Sequence, residues 1–405
     1  MIVRHRIVCS TCKSPITTRV SVGHNPCQEH AFLCPHCNEA IALGMKVDSD
    51  SVTYAMEHVE NCSAGDAEGP IVNLEPHFVL DKGEQYSDRR FPWMQQAEYI
   101  RKTAGLEPPD LPKGVDGPVV LDVYNEFGGV TDITEAWRIV EKGWSLLRNG
   151  RNDLAQEVLE KFRKFDYSGE ISLDPILYHF CQLLLFPKGH DLMKSGGKLL
   201  FSTYKLNQDE LLRFREFYIA EWKSEHFDRF HETFRDFFRH YSEYDQIILY
   251  VKNGVPVPDG CVATSSGFDD TWMFYGNTYE NYTSNIATLA CLHNISMGRR
   301  FDTFETMDLK KYLTINKANR GNPFKGNQLL APYLACLDSE LRNASHHRAA
   351  RATADRTMIE YRSGGTGQRQ EISYSKYLER CGQIALSSAA LLTVELLLCL
   401  PPTGE

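Results

Sequence analysis

The clearest chemical pattern in the sequence is a set of four cysteines near the N-terminus. Cys9 and Cys12 form one C-x2-C pair, and Cys34 and Cys37 form another. Two thiolates separated by two residues can bind the same ion from a tight turn, and two such turns supply the four sulfurs that a structural Zn²⁺ prefers. We therefore predict one structural zinc at these cysteines, with no coordination position left open for catalysis.

Further metal-binding residue types lie between and after these pairs. Cys27 and His30 are spaced as C-x2-H, and His58 and Cys62 as H-x3-C. The C-x2-C pairs alone resemble those of a zinc ribbon, whereas the complete order resembles the interleaved two-zinc arrangement of RING-like domains. The second interpretation adds a second zinc, bound by Cys27, His30, His58 and Cys62. Both interpretations keep the first ion on the same four cysteines.

A different pattern lies towards the C-terminus, where Arg342, Asn343 and His347 follow the spacing R-N-x3-H. Imidazole can accept and donate protons near neutral pH, and guanidinium offers a fixed charge to a phosphate. Asn343 and His347 are four residues apart on a helix, so the amide can orient the imidazole. RNA cleavage through the ribose 2′-hydroxyl, an internal nucleophile, needs only proton transfer and charge stabilisation, and these are what such side chains can supply.

Two other assignments of the arginine and histidine stay open. Arg342 and His346 are four residues apart and are better aligned on a helix, which makes His346 a substitute or helper. A second R-x4-H match, from Arg235 to His240, lies in a run rich in phenylalanine. We interpret that match as a core helix with surface charges.

The charge of the chain limits where a nucleic acid can bind. The 405 residues carry a formal net charge of −9, which disfavours broad electrostatic binding to nucleic acid. Locally, however, the stretch from residue 342 to residue 356 contains only one acidic residue, Asp355, and four arginines: Arg342, Arg348, Arg351 and Arg356. We predict that Arg348 and Arg351 bind the phosphates of the substrate.

The R-N-x3-H spacing is similar to the signature of the HEPN superfamily (higher eukaryotes and prokaryotes nucleotide-binding domains). The resemblance implies a helical bundle that dimerises and cleaves single-stranded RNA without a catalytic metal. It gives Arg342 and His347 the catalytic roles and Asn343 a supporting one. It also implies an anti-phage or toxin-like role, with an inhibitory or trigger protein as a further partner. The open alternatives are a non-catalytic HEPN-like protein that binds nucleotide or RNA, and a zinc-dependent adaptor or regulator.

The periodicity of apolar residues predicts a mainly α fold with a small β-rich N-terminal domain. Residues 1–65 are predicted as the zinc domain, 66–130 as an irregular connecting region with a short helix around 93–102, 131–205 as a helical middle region and 206–405 as the HEPN-like helical nuclease domain. Within the last, we predict a helix over 329–351, a β-hairpin over 357–374 and an apolar helix over 375–400.

The cysteines and the ends of the chain predict a cytoplasmic protein. Residues 1–12 lack the apolar run of a signal peptide, and the N-terminal cysteines have the spacing of metal ligands rather than of disulfides. Residues 383–400 are apolar enough to resemble a membrane span but contain Glu395. We predict that this segment is a buried core helix.

Overall fold

The computed structural model describes residues 1–48, 51, 53–107, 123–265, 267–346, 350–353, 356–363 and 367–400. About 53% of the chain is helical and 17% is strand, which confirms the mainly α class with a β-rich N-terminal region. The chain divides into two compact units. The first contains Met1–Thr131, His240–Trp272 and Asn343–Gly382, and the second contains Asp132–Arg239, Met273–Arg342 and Gln383–Glu405.

The described strands all belong to the first unit. They are β1 (Ile2–Cys9), β2 (Pro15–Ser21), β3 (Cys27–Leu33), β4 (Ala40–Asp48), β5 (Thr53–Glu60), β6 (Cys62–Ala64), β7 (Ile71–Leu74), β8 (Leu80–Asp81), β9 (Cys261–Val262), β10 (Ala350–Ala352), β11 (Met358–Arg362) and β12 (Arg369–Ser373). One sheet has the order β6-β1-β2-β7, with β7 parallel to β2. Two antiparallel sheets have the orders β3-β4-β5 and β10-β11-β12, and β8 pairs with β9.

The helices are divided between the two units. In chain order they are α1 (Lys82–Gln85), α2 (Met94–Ala104), α3 (Val123–Glu126), α4 (Ile133–Arg148), α5 (Asn152–Glu160), α6 (Leu173–Leu185), α7 (Gly189–Leu206), α8 (Gln208–Phe217), α9 (Lys223–Arg239), α10 (Tyr241–Lys252), α11 (Phe268–Thr271), α12 (Phe274–Asn285), α13 (Ala287–Ser296), α14 (Leu309–Tyr312), α15 (Ser339–His346) and α16 (Tyr374–Cys399). A π-helical segment, Tyr218–Trp222, joins α8 to α9.

The β-rich part of the first unit has its own apolar core. Ile41, Leu43 and Met45 alternate along β4, and each is at most 1% exposed, because every second residue of a strand faces the same side. The same buried cluster includes Cys9 and Cys34. The two cysteine turns are therefore anchored in this core.

The second unit is built on helices with aromatic faces. Phe227, Phe230, Phe234 and Phe237 recur at helical spacing along α9, and all four are buried. Trp137 of α4 stacks on Phe238 with a distance of 5.4 Å between ring centroids. These contacts build an aromatic core between α4 and α9.

The helix predicted over residues 329–351 is wrong in its extent. Ala331–Leu334 form a 3-10 turn, and among the described residues of this range regular α-helix covers only α15. Pro332 lacks a backbone N–H, and the Asp338 carboxylate accepts from the N–H groups of Glu340 and Leu341, which starts the helix there. After α15 the chain reaches β10, which pairs with β11, so the predicted hairpin is part of a three-stranded sheet.

The segment predicted as an irregular connection contains regular structure in its described part. β7 and β8 lie in it, with α1 and α3, and α2 lies where the short helix is predicted. β7 has only four residues, too few to show the alternation of a strand in the sequence, and it becomes a strand by pairing with β2. The predicted domain boundaries themselves stay predictions.

α16 contains the apolar stretch that resembles a membrane span. By length and composition it could cross a membrane, but 89% of its most apolar window is buried inside the protein. Glu395 in this helix is fully buried and accepts hydrogen bonds from Tyr218, His226 and Thr288. The helix therefore has the burial of a core helix, as predicted, and the protein is consistent with a soluble one.

Candidate functional site

The four N-terminal cysteines lie in two equivalent turns. Cys9 ends β1 and Cys34 follows β3, and the residue after each second cysteine, Lys13 or Asn38, has a φ near +60°. The N–H of Lys13 donates to the Cys9 carbonyl at 3.0 Å, and the N–H of Asn38 to the Cys34 carbonyl at 2.9 Å. Each turn therefore folds back so that both of its thiols face the same point.

The thiols have the geometry of a tetrahedral metal site. Sγ of Cys9 is 3.8 Å from Sγ of Cys37, Sγ of Cys12 is 3.7 Å from Sγ of Cys34, and the four sulfur atoms all lie within 4.8 Å of one another. Four thiolates bound to zinc at about 2.3 Å would be separated by about 3.8 Å. The four-cysteine cluster can therefore bind a metal ion.

The second predicted ligand set is not brought together. The four-cysteine cluster is the only group of three or more His, Cys, Asp and Glu ligand atoms found within 4.8 Å in the described part of the chain. Cys27 and His30 are three residues apart on β3, which directs them to opposite faces of the strand. Cys27 is exposed, whereas His30 is buried with Nδ1 2.9 Å from Oγ1 of Thr264.

The other two residues of that set also have different neighbours. Nε2 of His58 lies 3.0 Å from Nε2 of His5 on β1. The thiol of Cys62 donates to the carbonyl of Ala42 at 3.5 Å. The prediction of a second zinc at Cys27, His30, His58 and Cys62 therefore lacks the required geometry.

Arg342 of the R-N-x3-H motif lies on α15 and makes an ion pair within the second unit. Its Nε and Nη2 atoms both donate to Oε1 of Glu280 on α12. The other carboxylate oxygen of Glu280 lies 2.6 Å from Nζ of Lys317. Burial alone would raise the pKa of Glu280, but Lys317 and Arg342 hold that pKa below its ordinary value. The guanidinium of Arg342 is held in place by this pair, and the Arg342 side chain is 31% exposed.

The remaining motif residues differ in their environment. Asn343 is half-buried on α15, and His346 is exposed at the last residue of the helix. Arg342 and His346 are four residues apart on this helix, so they share a face. His347 and Arg348 lie outside the described residues.

Arg351, the other predicted substrate residue that is described, is exposed, and the second R-x4-H match lies on the surface of α9 and just before α10. Arg351 lies on β10, and its Nη2 is 2.9 Å from Oε2 of Glu360 on the neighbouring strand β11. Arg235 is exposed on α9, where its Nε lies 3.7 Å from the Asp236 carboxylate, and half-buried His240 precedes α10. The Arg235–Asp236 pair agrees with a surface charge on a helix whose other face is aromatic.

A buried polar cluster in the first unit was not predicted from the sequence. The Asp245 carboxylate, 1% exposed on α10, accepts from Nδ2 of Asn25 at 2.8 Å and from the Tyr124 hydroxyl at 2.9 Å, and lies 3.0 Å from Nδ1 of His77. The rings of His24, His77 and Tyr124 pack with centroids 4.6 to 4.9 Å apart. Asp245 thus joins four segments of the unit and can orient an imidazole.

Several buried ionisable groups interact with Asp245 or with His77. Burial lowers the pKa of Lys252 to about 7, although Asp245 opposes this effect. Burial and His77 lower the pKa of His30 to about 4, and burial raises the pKa of Glu75. A signal was present in the sequence: Asp245 and Lys252 are seven residues apart on one face of α10, a helix that also buries Glu243 and Gln246 among its apolar residues.

No family model, curated protein or solved structure matches this chain. The function of this protein must therefore be inferred from the four-cysteine cluster, the R-N-x3-H motif and their geometry.

Proposed function

We propose that this protein is a metal-independent endoribonuclease of the HEPN type that acts on single-stranded RNA. The observation that carries the proposal is the R-N-x3-H motif, with Arg342 and Asn343 on one helix and the guanidinium held by Glu280 at a partly exposed position. A fixed cation next to solvent is suited to stabilise the charge that develops on a phosphate.

The proposed reaction needs only proton transfer and charge stabilisation. The imidazole of His347 takes the proton of the ribose 2′-hydroxyl, and the 2′-oxygen attacks the adjacent phosphorus. The bond from phosphorus to the 5′-oxygen breaks, and that oxygen takes a proton from an imidazolium. The products are a 2′,3′-cyclic phosphate, which water can open to a 3′-phosphate, and a 5′-hydroxyl. Arg342 stabilises the phosphate oxygens, and Asn343 orients His347.

The proposal includes a homodimer and a structural zinc. In the HEPN resemblance, two copies of the motif meet in a dimer, so the second imidazole can come from the partner subunit. The four-cysteine cluster would hold zinc, since four thiolates are its preferred structural ligands. The zinc stabilises the fold of the first unit and takes no part in RNA cleavage. The anti-phage or toxin-like role is proposed from the resemblance only.

The test is cleavage of a labelled single-stranded RNA in EDTA. We expect cleavage to persist and the products to carry 2′,3′-cyclic phosphate ends. The variants His347→Ala and Arg342→Ala should lose about 10²- to 10⁴-fold in rate. The matched control is Arg235→Ala with His240→Ala, which removes the other R-x4-H match and should keep activity. Zinc content is measured after the EDTA step, because loss of the structural metal would itself inactivate the protein.

One observation favours a second candidate, a non-catalytic HEPN-like protein that binds RNA or nucleotide. Arg342 is already paired with Glu280, and Glu280 also pairs with Lys317, so the guanidinium charge is partly neutralised. RNA binding without cleavage by the zinc-loaded dimer would support this candidate and contradict the ribonuclease. Cleavage that EDTA abolishes and Mg²⁺ restores, with zinc retained, would contradict both.

A further inference from the structure

The first unit contains a polar cavity of about 400 Å³ beside the metal-binding turns. Its lining includes Ala40, the first residue of β4, Trp272 next to α11, and Arg351 and Arg356 around β10. The volume lies within the range of small-ligand sites. Ala40 is three residues after Cys37, so the four-cysteine cluster fixes one wall of the cavity.

The two arginines of the cavity are held by different ion pairs. Nη2 of Arg356 lies 2.9 Å from Oε2 of Glu60 on β5, and partly exposed pairs of this kind contribute about 0 to 1 kcal/mol. A phosphate, which accepts two parallel hydrogen bonds from a guanidinium, can therefore replace the Glu60 carboxylate at Arg356. Arg351 donates to Glu360 through both Nε and Nη2, and its side chain is 76% exposed, so it adds positive charge to the same cavity.

The backbone at Arg356 is held in an uncommon conformation. Its φ is +55°, in the left-handed region that residues other than glycine rarely adopt. Its N–H donates to the carbonyl of Thr353 at 2.8 Å. This turn fixes the position from which the Arg356 side chain extends. An arginine side chain with a fixed starting point is suited to bind one phosphate at a defined place, whereas a freely moving arginine attracts any polyanion.

Other residues of the lining have a different chemistry. Trp272 is half-buried and offers an aromatic ring, and the neighbouring Asp269 offers an exposed carboxylate. An indole can stack on a nucleobase, and a carboxylate can accept from the amino group of a base. The negative charge of Asp269 disfavours a phosphate near it, so a nucleotide would bind with its phosphate towards the arginines.

We propose that this cavity binds one nucleotide of single-stranded RNA, with the base on Trp272 and the phosphate on Arg356 and Arg351. The inference rests on the proposed ribonuclease function and gives it a substrate subsite. Arg351 and Arg356 follow the catalytic motif by fewer than fifteen residues in the sequence. The metal-binding turns then have a defined function, since they support one wall of the RNA site.

The experiment measures binding of a labelled single-stranded RNA oligonucleotide to the zinc-loaded His347→Ala protein by fluorescence anisotropy. In this background, Trp272→Ala should raise Kd about tenfold, because one stacked base is lost, whereas Trp272→Phe should keep most of the affinity. Arg356→Gln should lower the slope of log Kd against log salt concentration by about 0.7, the value of one single-strand phosphate contact. Arg356 lies at the surface, so this variant should fold even if Trp272→Ala does not.

Arg369→Gln is the matched control. Arg369 pairs with the same carboxylate, Glu360, and lies on the same sheet, but it does not line the cavity. It should change neither Kd nor the salt slope. If RNA binds and both Arg356→Gln and Trp272→Ala behave like the control, the inference is overturned, while cleavage by the wild type would leave the proposed function intact.

The failure of the proposed function gives a different result. If the wild type cleaves no RNA but Trp272→Ala and Arg356→Gln still weaken oligonucleotide binding as stated, the nucleotide site stands and the nuclease does not. If the His347→Ala protein binds no RNA under any salt condition, the nucleotide site is overturned.

Discussion

The four-cysteine cluster and the motif on α15 are both predicted from short spacings, but they obtain their geometry in different ways. Each C-x2-C turn closes on itself through backbone bonds to Cys9 or Cys34. Only the meeting of the two turns depends on the fold. Arg342 instead takes its position from Glu280, which is 62 residues away in the sequence. Spacing therefore predicts a metal-binding turn well, whereas it predicts only one part of the proposed catalytic site.

Cys34→Ser should have the largest effect. Cys34 is fully buried and supplies one of the four thiols, so the variant should lose its zinc and about 4 kcal/mol or more of unfolding free energy. Metal analysis and urea unfolding of the full chain measure both quantities. Retention of one zinc per chain at wild-type stability would show that the cluster is not the metal site.

Glu280→Gln tests whether Arg342 depends on its distant partner. At pH 7 we expect a loss of about 1 kcal/mol in unfolding free energy and about tenfold in cleavage, because Arg342 is no longer held in place. Lys317→Gln is the control, since it removes the other partner of Glu280 and keeps the pair with Arg342. Faster cleavage by Glu280→Gln would mean that the ion pair inhibits the arginine.

The pH dependence of the same variant has a defined sign. The pKa of Glu280 is lower in the folded protein than in the unfolded chain. Its stabilising contribution is therefore present above the ordinary pKa of a glutamate and disappears as pH falls through the lowered folded pKa. The difference in unfolding free energy between wild type and Glu280→Gln should accordingly vanish in acid, and a difference independent of pH would exclude an ionic origin.

His346→Ala separates the two histidines of the motif. His346 is exposed at the end of α15. If it is a helper, His346→Ala should lower the cleavage rate by no more than about tenfold, much less than His347→Ala does. The comparison uses pH–rate profiles of both variants. A loss for His346→Ala equal to that expected for His347→Ala would reassign the proton transfer to His346.

Cys27→Ser should have the smallest effect. Cys27 is exposed and is not gathered with His30, His58 and Cys62. The variant should keep the zinc content and the stability of the wild type. A fall of one zinc per chain would revive the two-zinc interpretation.

The sequence allowed the mainly α class, the cysteine site, the C-terminal core helix and the phenylalanine-rich helix to be predicted, because these depend on local periodicity and spacing. The aromatic face of α9 is one example. The sequence did not allow β7 to be predicted, since four residues carry too little pattern. It also did not allow the start of α15 directly after Asp338 to be predicted. Asp245 and Glu280 were also missed, because their importance comes from partners that are far away in the sequence.

Each unit contains three separate stretches of chain, and this has a consequence for synthesis on the ribosome. The two cysteine turns are complete once residue 37 has emerged, so metal can bind early. A nascent chain that ends before residue 343 lacks the last stretch of both units, and neither can finish folding. If the protein is a nuclease, its activity would begin only after translation is nearly complete, which protects the ribosome that makes it and the message being read.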